Sequence, residues 1–249
     1  MIYLLLSDIH ANLEALAAVL EADAALPPPD TVLVLGDLVG YGPDPAAVIQ
    51  RIRSLPVPAM RIIRGNHDRV AAGIDPGRGF NDQARRAARW TRERLDNGTR
   101  EWLAMLPEGP LTLPGGVVAA HGSPLDEDDY LHTTDRIRLV MELVTAPLIL
   151  CGHTHLPMAG LMEDGTLTVR SLQQPREELA CGPGRRLFFN PGSVGQPRDG
   201  DPRSAHARYD SGTGRITFYR TAYDYRPTVR KMREAGLPDA LCRRLAAGA

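Results

Sequence analysis

The chain of 249 residues is poor in lysine: Lys231 is the only one, and the rest of its basic charge is arginine. Formal net charge is -1, which gives no bulk attraction for a polyelectrolyte such as DNA. No stable nucleic-acid partner is expected. Cysteine is scarce as well. Cys151, Cys181 and Cys242 are odd in number, far apart and without a C-x-x-C pair. That spacing argues against a disulfide framework and for a reducing compartment. No apolar run approaches the length that crosses a bilayer. The opening MIYLLL is too short for a signal peptide, lacks a basic leader and runs straight into Asp8. A cytoplasmic protein without a membrane partner is expected. Linkers, repeats and low-complexity blocks are missing too, so residues 1–249 read as one domain, large enough to bury a sizeable core.

What the sequence does contain is a recurring punctuation. The run Thr31–Leu35 stops at Gly36 and delivers Asp37 into a glycine-rich loop. Four other short apolar runs end in the same manner. Ile2–Leu6 meets Ser7-Asp8-Ile9-His10, and Met60–Ile63 leads to Gly65-Asn66-His67-Asp68. Val117–Ala120 ends at His121-Gly122, and Leu148–Cys151 at Gly152-His153-Thr154-His155. Short apolar runs closed by glycine read as buried strands. In open α/β sheets, sites form beyond the carboxyl ends of such strands. Asp8 and His10 are two apart, so an extended backbone would face both to one side and turn Ile9 to the core.

Between the first three runs lie helical patterns. Asn12 is placed to cap a helix with apolar positions Leu13, Leu16, Val19 and Leu20. Asp44-Pro45 is an N-cap and first-turn pair for a helix through Val48, Ile49 and Ile52. Strand, helix, strand, helix, strand predicts a mostly parallel sheet. Asn81 should cap a helix running to Asp96, whose Arg85, Arg86, Arg89, Arg92 and Arg94 read as a solvated face. A short helix follows around Trp102–Met105. Leu111–Leu113 and Val117–Ala120, flanking Pro114-Gly115-Gly116, form a hairpin pattern, and Thr134–Val144 a helix. From Pro157 the pattern changes to short strands: Met158–Met162, Thr166–Val169, Leu187–Phe189, Ala205–Tyr209 and Ile216–Tyr219. These suggest a mixed or antiparallel sheet packed on the first. Ser171–Arg186 is a polar excursion without periodicity. Arg226–Leu245 reads as one or two helices broken at Gly236-Leu237-Pro238.

Asp8, His10, Asp37, Asn66, His121, His153 and His155 therefore converge on one place. Imidazole, carboxylate and amide without thiolate suit Mn, Fe, Co, Ni or Zn. Seven ligands are too many for one ion with an open position and fit two, with Asp37 as the natural bridge. Two divalent cations, Asp8, Asp37 and a hydroxide leave a formal charge of about +1 at a site where metals lower the pKa of water to about 7. Such a site attracts phosphate.

The blocks Asp8-x-His10, Gly36-Asp37, Gly65-Asn66-His67-Asp68, His121-Gly122 and Gly152-His153-x-His155, in this order, resemble the calcineurin-like metallophosphoesterase superfamily. Asn190-Pro191-Gly192-Ser193-Val194-Gly195-Gln196-Pro197-Arg198 resembles a loop of its small single-domain prokaryotic phosphodiesterase branch. The resemblance implies a four-layer α/β/β/α sandwich of two mixed β-sheets flanked by helices. It implies that Asp8, His10, Asp37 and His155 hold one metal and Asp37, Asn66, His121 and His153 the other, with manganese placed before Fe, Ni, Co and Zn. It also implies in-line attack by a metal-bound hydroxide, with His67 facing the phosphate and oriented by Asp68. The expected activity is hydrolysis of a small phosphoester, with a nucleotide among the candidates and a diester placed before a monoester. A protein Ser/Thr phosphatase and a metal-binding non-catalytic scaffold are the alternatives. Outside the motifs, His132 and His206 are expected to be structural or exposed, Arg198 and Asp199 to form loop salt bridges, and Cys151 to be a small buried hydrophobe. Tyr41 is either a substrate contact or a turn residue.

Overall fold

A computed structural model describes residues 1–182 and 184–249. Three parallel strands, β1 (Ile2–Leu6), β2 (Thr31–Val34) and β3 (Ala59–Ile62), are joined by helices α1 (Leu13–Ala24) and α2 (Pro45–Arg53). Asn12 caps α1, its side chain accepting the Ala15 N–H at 3.1 Å. Asp44 makes no such bond at α2; its carboxylate takes Lys231 Nζ at 2.8 Å instead. Pro45, at the first helical position, starts that helix without it.

The strands pair across the whole chain. The first sheet runs β3-β2-β1-β11-β12-β9, where β11 is Ser204–Asp210, β12 is Arg215–Thr221 and β9 is Arg176–Ala180. The second runs β4-β5-β6-β10-β7-β8: Leu111–Leu113, Val117–Ala119, Leu148–Leu150, Arg185–Pro191, Pro157–Glu163 and Thr166–Ser171 in that spatial order. Both sheets are mixed. The strands after Pro157 thus do not make a sheet of their own. β11 returns to pair antiparallel with β1, Leu4 opposite Arg208, while β7, β8 and β10 extend β6. Within the polar excursion lies β9, which closes the far edge of the first sheet against β12. Its sequence REELA carries charge on both faces, held by pairs such as Arg170–Glu177 and Arg215–Glu178, so no apolar period announces it.

The two sheets pack face to face, and alternation along each strand decides which side chain goes where. Leu5, Leu33, Phe189 and Phe218 point into the space between the sheets. Leu4, Leu6, Val32 and Val34 point outward under α1, α2, α3 (Asn66–Ala72) and α5 (Asn97–Ala104). Phe188, the neighbour of Phe189, packs outward with Ile137, Val140 and Met141 of α6 (Thr134–Leu143). Each buried phenyl ring contributes about 1.5–3 kcal/mol by leaving water. The result is an α/β/β/α sandwich, two mixed sheets flanked by eight α-helices among the described residues.

Helix α4 (Asp82–Arg94) is capped by Asn81 and buries Ala84, Ala87, Ala88 and Thr91. Arg85, Arg86, Arg89, Arg92 and Arg94 all face solvent. Helices α7 (Arg226–Glu234) and α8 (Asp239–Ala247) pack Met232, Leu241 and Leu245 with Tyr41, Ala84 and Ala87. No described helix is long and apolar enough to cross a membrane. Cys151 is buried among aliphatic neighbours, which push its thiol pKa up. His132 is exposed, and His206 is buried, stacked on Tyr219.

Candidate metal centre

The carboxyl ends of β1, β2, β5 and β6 deliver their next residues to one edge of the sandwich, and the backbone there leaves the extended region. Eight described non-glycine residues have positive φ, and seven of them are Asp8, His10, Ala11, Asp37, Tyr41, His153 and His155 at this edge. The eighth, Asp164, lies in the β7–β8 turn. Each such residue costs on the order of 1–3 kcal/mol and persists only where the surroundings over-determine it. Asp8 and His10 therefore face one side because both are left-handed, at φ 51° and 50°, and not because the strand continues. Interlocking main-chain bonds hold them: Asp8 N–H to Gly36 O at 3.1 Å, His10 N–H to Asp37 O at 2.9 Å and Gly195 N–H to Asp8 O at 3.0 Å. Gly65 has to be glycine, since a Cβ there would collide with the Asp37 carboxylate.

Asp8, His10, Asp37 and His155 each bring one ligand atom into a buried group whose atoms lie within 4.8 Å of one another, and Asp37, His121 and His153 do the same. Asp37 belongs to both. Its Oδ2 is 3.5 Å from His10 Nε2 and 3.6 Å from His121 Nε2, while Oδ1 accepts the His67 N–H at 2.9 Å. One oxygen thus faces both groups and the other is tied to backbone. Asn66 Oδ1 stands 3.2 Å from His121 Nε2. All seven residues that the sequence pattern brings together are in one cluster.

The donor set suits cations. His10, His121 and His155 donate Nδ1–H to the carbonyls of Val39, Leu35 and Gln196 at 3.2, 2.7 and 2.6 Å. A neutral imidazole has one N–H, so their Nε2 lone pairs are left facing the site, as in a metal-binding histidine whose other nitrogen is tied to a carbonyl. His10 and His155 point those atoms at each other 3.0 Å apart, and His121 Nε2 meets His153 Nδ1 at 3.0 Å. Asp8 Oδ1 and His153 Nε2 are buried without hydrogen-bond partners. Converging lone pairs and an unpaired carboxylate oxygen are costly in a dry site and are satisfied by divalent ions.

Electrostatics agree. Burial holds His10, His155 and His153 below the ordinary imidazole range, His153 at about 2; Arg198 pushes all three the same way, and neighbouring imidazoles do so for His10 and His153. Burial would also raise Asp8, but the adjacent His155, with His121 and His10, holds it low. Asp37 is raised by burial and by the nearby Asp68 and Asp8 carboxylates. Burial opposes charge on His121, yet Asp37 and Asp8 outweigh it and raise that ring. Two carboxylates buried side by side need added positive charge to remain ionised together.

His67 lies beside the cluster between the rings of Tyr41 and Phe80, at centroid distances of 4.3 and 4.4 Å, and its Nδ1 has no partner. Asp68 makes no hydrogen bond to this ring, so it does not aim it directly as the sequence motif suggested. The Asp68 carboxylate accepts Val39 N–H at 3.1 Å and Gly65 N–H at 3.0 Å, capping α3 and pinning the Asp37 loop. Its position on the first turn of α3 turns it away from its neighbour's ring. Burial pushes its pKa up to about 6 against those two donors. Tyr41, 7% exposed, packs on both His10 and His67 and is therefore part of the site wall. Beside the cluster opens a cavity of about 500 Å³ whose lining includes Asn66, His153, Phe80, Tyr130, Arg69 and Arg78. Asp199 forms the expected loop salt bridge, with Arg220. Arg198 forms none among the described residues; it stands over Tyr41. The residues that sequence reading missed are thus Arg198, Tyr130 and Phe80, for which only the glycine-rich loop before Arg198 gave a signal.

A two-sheet α/β sandwich with this acid and imidazole cluster at its strand ends defines a metal-dependent phosphoesterase. The chain belongs to the calcineurin-like phosphoesterase superfamily, whose domain matches residues 1–212. It is 32% identical over 250 residues to an uncharacterized protein of Methanocaldococcus jannaschii, covering 98% of this chain and 96% of that one. The crystal structure of a metallophosphoesterase from Sphaerobacter thermophilus is similar at TM-score 0.84 and 37% identity, over 100% of both chains. A stretch of 74 residues is 44% identical to a symmetrical bis(5'-nucleosyl)-tetraphosphatase of Yersinia pestis, spanning 28% of this chain and 25% of that protein.

Proposed function

We propose that the chain is a cytoplasmic hydrolase of small phosphodiesters that works as one domain with two divalent transition-metal ions. The observation that carries this reading is the pair of buried donor groups sharing Asp37. Asp8, His10, Asp37 and His155 would hold one ion, and Asp37, Asn66, His121 and His153 the other. Manganese is placed before Fe, Co, Ni and Zn, because oxygen donors stand beside the imidazoles. When bound, the ions supply Lewis-acid polarisation of the phosphoryl oxygens and acidify water to a pKa of about 7.

The chain's own residues do the rest. The left-handed turns at Asp8, His10, Asp37, His153 and His155 fix the donors before substrate arrives. His67, stacked between Tyr41 and Phe80 beside the cluster, is the group proposed to assist the departing oxygen. Asp68 positions His67 through the backbone, by fixing the first turn of α3. The adjoining cavity of about 500 Å³ has the volume of a small-molecule site, which favours a compact substrate over a phosphoprotein. The partial match to a dinucleoside tetraphosphatase supports a nucleotide among the candidates. The diester preference rests on the likeness of the 190–198 loop to the phosphodiesterase branch. Three unpaired thiols, Cys151, Cys181 and Cys242, support the compartment. The packing of α7 and α8 on α4 and Tyr41 supports the single domain.

The test is a substrate panel. Protein stripped of metal and reloaded with Mn, Fe, Co, Ni or Zn is assayed on phosphodiesters, phosphomonoesters and dinucleoside polyphosphates, with metal content measured on the same samples. Diester hydrolysis that rises to two equivalents of metal is expected. A fully loaded protein that hydrolyses none of them would overturn the reading.

A further inference from the structure

Four arginines approach the cavity and its neighbouring loops: Arg78 lines the cavity but is exposed to solvent, and two of the others are neutralised. Arg69 is ringed by Glu127, Asp128 and Asp75, and Arg64 by Glu108 and Glu127. Arg198 has no carboxylate within ion-pair distance among the described residues. Its polar contacts are long ones: Nη2 donates to Gln196 Oε1 at 3.2 Å and to the Tyr41 hydroxyl at 3.5 Å, and its Nε is buried without a partner. The side chain is half-buried, so its positive charge is held at the edge of the site with N–H groups left for solvent or for an anion.

Its place is fixed by the loop that carries it. Ser193 donates its hydroxyl to Asp8 O at 2.7 Å, His155 donates Nδ1–H to Gln196 O at 2.6 Å, and Arg198 N–H reaches His155 O at 3.3 Å. The loop is therefore registered against both sides of the centre. The guanidinium stands 5.9 Å from the Tyr41 ring centroid, and Tyr41 packs on His10 and His67. It also lies near the Tyr130 hydroxyl, and Tyr130 packs on His153 with ring centroids 3.9 Å apart. The two tyrosines thus pack one on each donor group, and Arg198 is near both.

Resting on the hydrolase reading above, we propose that Arg198 binds the non-bridging oxygens of the substrate phosphoryl group, with Tyr41 and Tyr130 holding its guanidinium over the centre. A planar, permanently charged fork is matched to two phosphoryl oxygens in a way that an ammonium is not.

The probe is inorganic phosphate, titrated by calorimetry into protein loaded with metal. Arg198→Met keeps the apolar stem and removes the charge. Phosphate affinity should fall about 10–100-fold, the range of a hydrogen bond to a charged group, with bound metal and melting temperature unchanged. Arg198→Lys should lie between wild type and Arg198→Met. Unchanged phosphate affinity in Arg198→Met would overturn the proposal and leave the metal centre standing. If Arg198→Met loses metal or does not fold, Arg198→Lys decides, and wild-type affinity there overturns it. A wild-type chain that takes up no metal removes the underlying reading and the proposal with it, so the two failures are distinguishable.

Discussion

The two sheets meet the centre with different chemistry. The first supplies both carboxylates and the amide, Asp8, Asp37 and Asn66, together with His10 and His67. The second supplies imidazoles alone, His121, His153 and His155. On the first side, acids are pressed together by burial; on the second, lone pairs converge. The difference teaches that neither half is a site by itself. One bond crosses from the second sheet's backbone to the first sheet's acid, His153 N–H to Asp8 Oδ2 at 3.0 Å. Cations at the seam would relieve both halves at once, so the centre should also be a fastener between the sheets.

The largest effect that can break this comparison is Asp37→Asn. It removes the one oxygen that faces both groups together with its charge. Activity should fall to background and metal uptake below two ions per chain. Because an uncompensated buried charge is also removed, the melting temperature of the metal-free variant should equal or exceed that of metal-free wild type. A lower value would show that Asp37 is not the strained member.

His67→Ala comes next. General-acid assistance is worth about 10²–10⁴-fold, so rates on alkyl or nucleoside esters should fall by that much and clearly less on nitrophenyl esters, with metal content unchanged. Equal losses on both would refute the proton-donor role. Asp68→Ala should act differently, through the first sheet's framework. It leaves the N–H groups of Val39 and Gly65 without an acceptor, at about 1–3 kcal/mol each where buried. Denaturant unfolding should show that loss, and a variant as stable as wild type would contradict the capping role.

The smallest effect lies away from the seam. Burial, and then Arg208, holds His206 down at about 4. The unfolded chain therefore takes up this proton first as pH falls, and the stability contributed by a neutral His206 is present above pH 6.5 and is lost between 6.5 and about 4. The slope from this residue is about 1.4 kcal/mol per pH unit at most. His206→Gln should flatten that limb of the stability curve while leaving activity at neutral pH intact. An unchanged limb would show that His206 does not titrate as described.

Much of this was legible in sequence, for a local reason. An apolar run that stops at glycine and yields Asp or His marks a strand end whatever the rest of the chain does, and Asp37, His121 and His153 stand where that rule puts them. What depends on distant partners was not legible. β11 joins β1 through a register set more than 200 residues away in the chain, Leu5 opposite Ala207, and β9 is held by charges with no apolar period. The left-handed backbone at Asp8 and His10 is imposed by bonds from the Asp37 loop and from Gly195, so spacing suggested an extended geometry that does not exist. Asp68 follows His67 in sequence, yet the helical turn sends the two side chains to different partners. Arg198 looked like a surface salt bridge because its isolation from carboxylates appears only once the chain is folded.

The central claim is that the seam holds two cations through a shared Asp37. Anomalous scattering measured on crystals grown with saturating manganese tests it most directly. The account predicts two peaks, one among Asp8, His10, Asp37 and His155, the other among Asp37, Asn66, His121 and His153. A single peak, or peaks that do not touch Asp37, would contradict it.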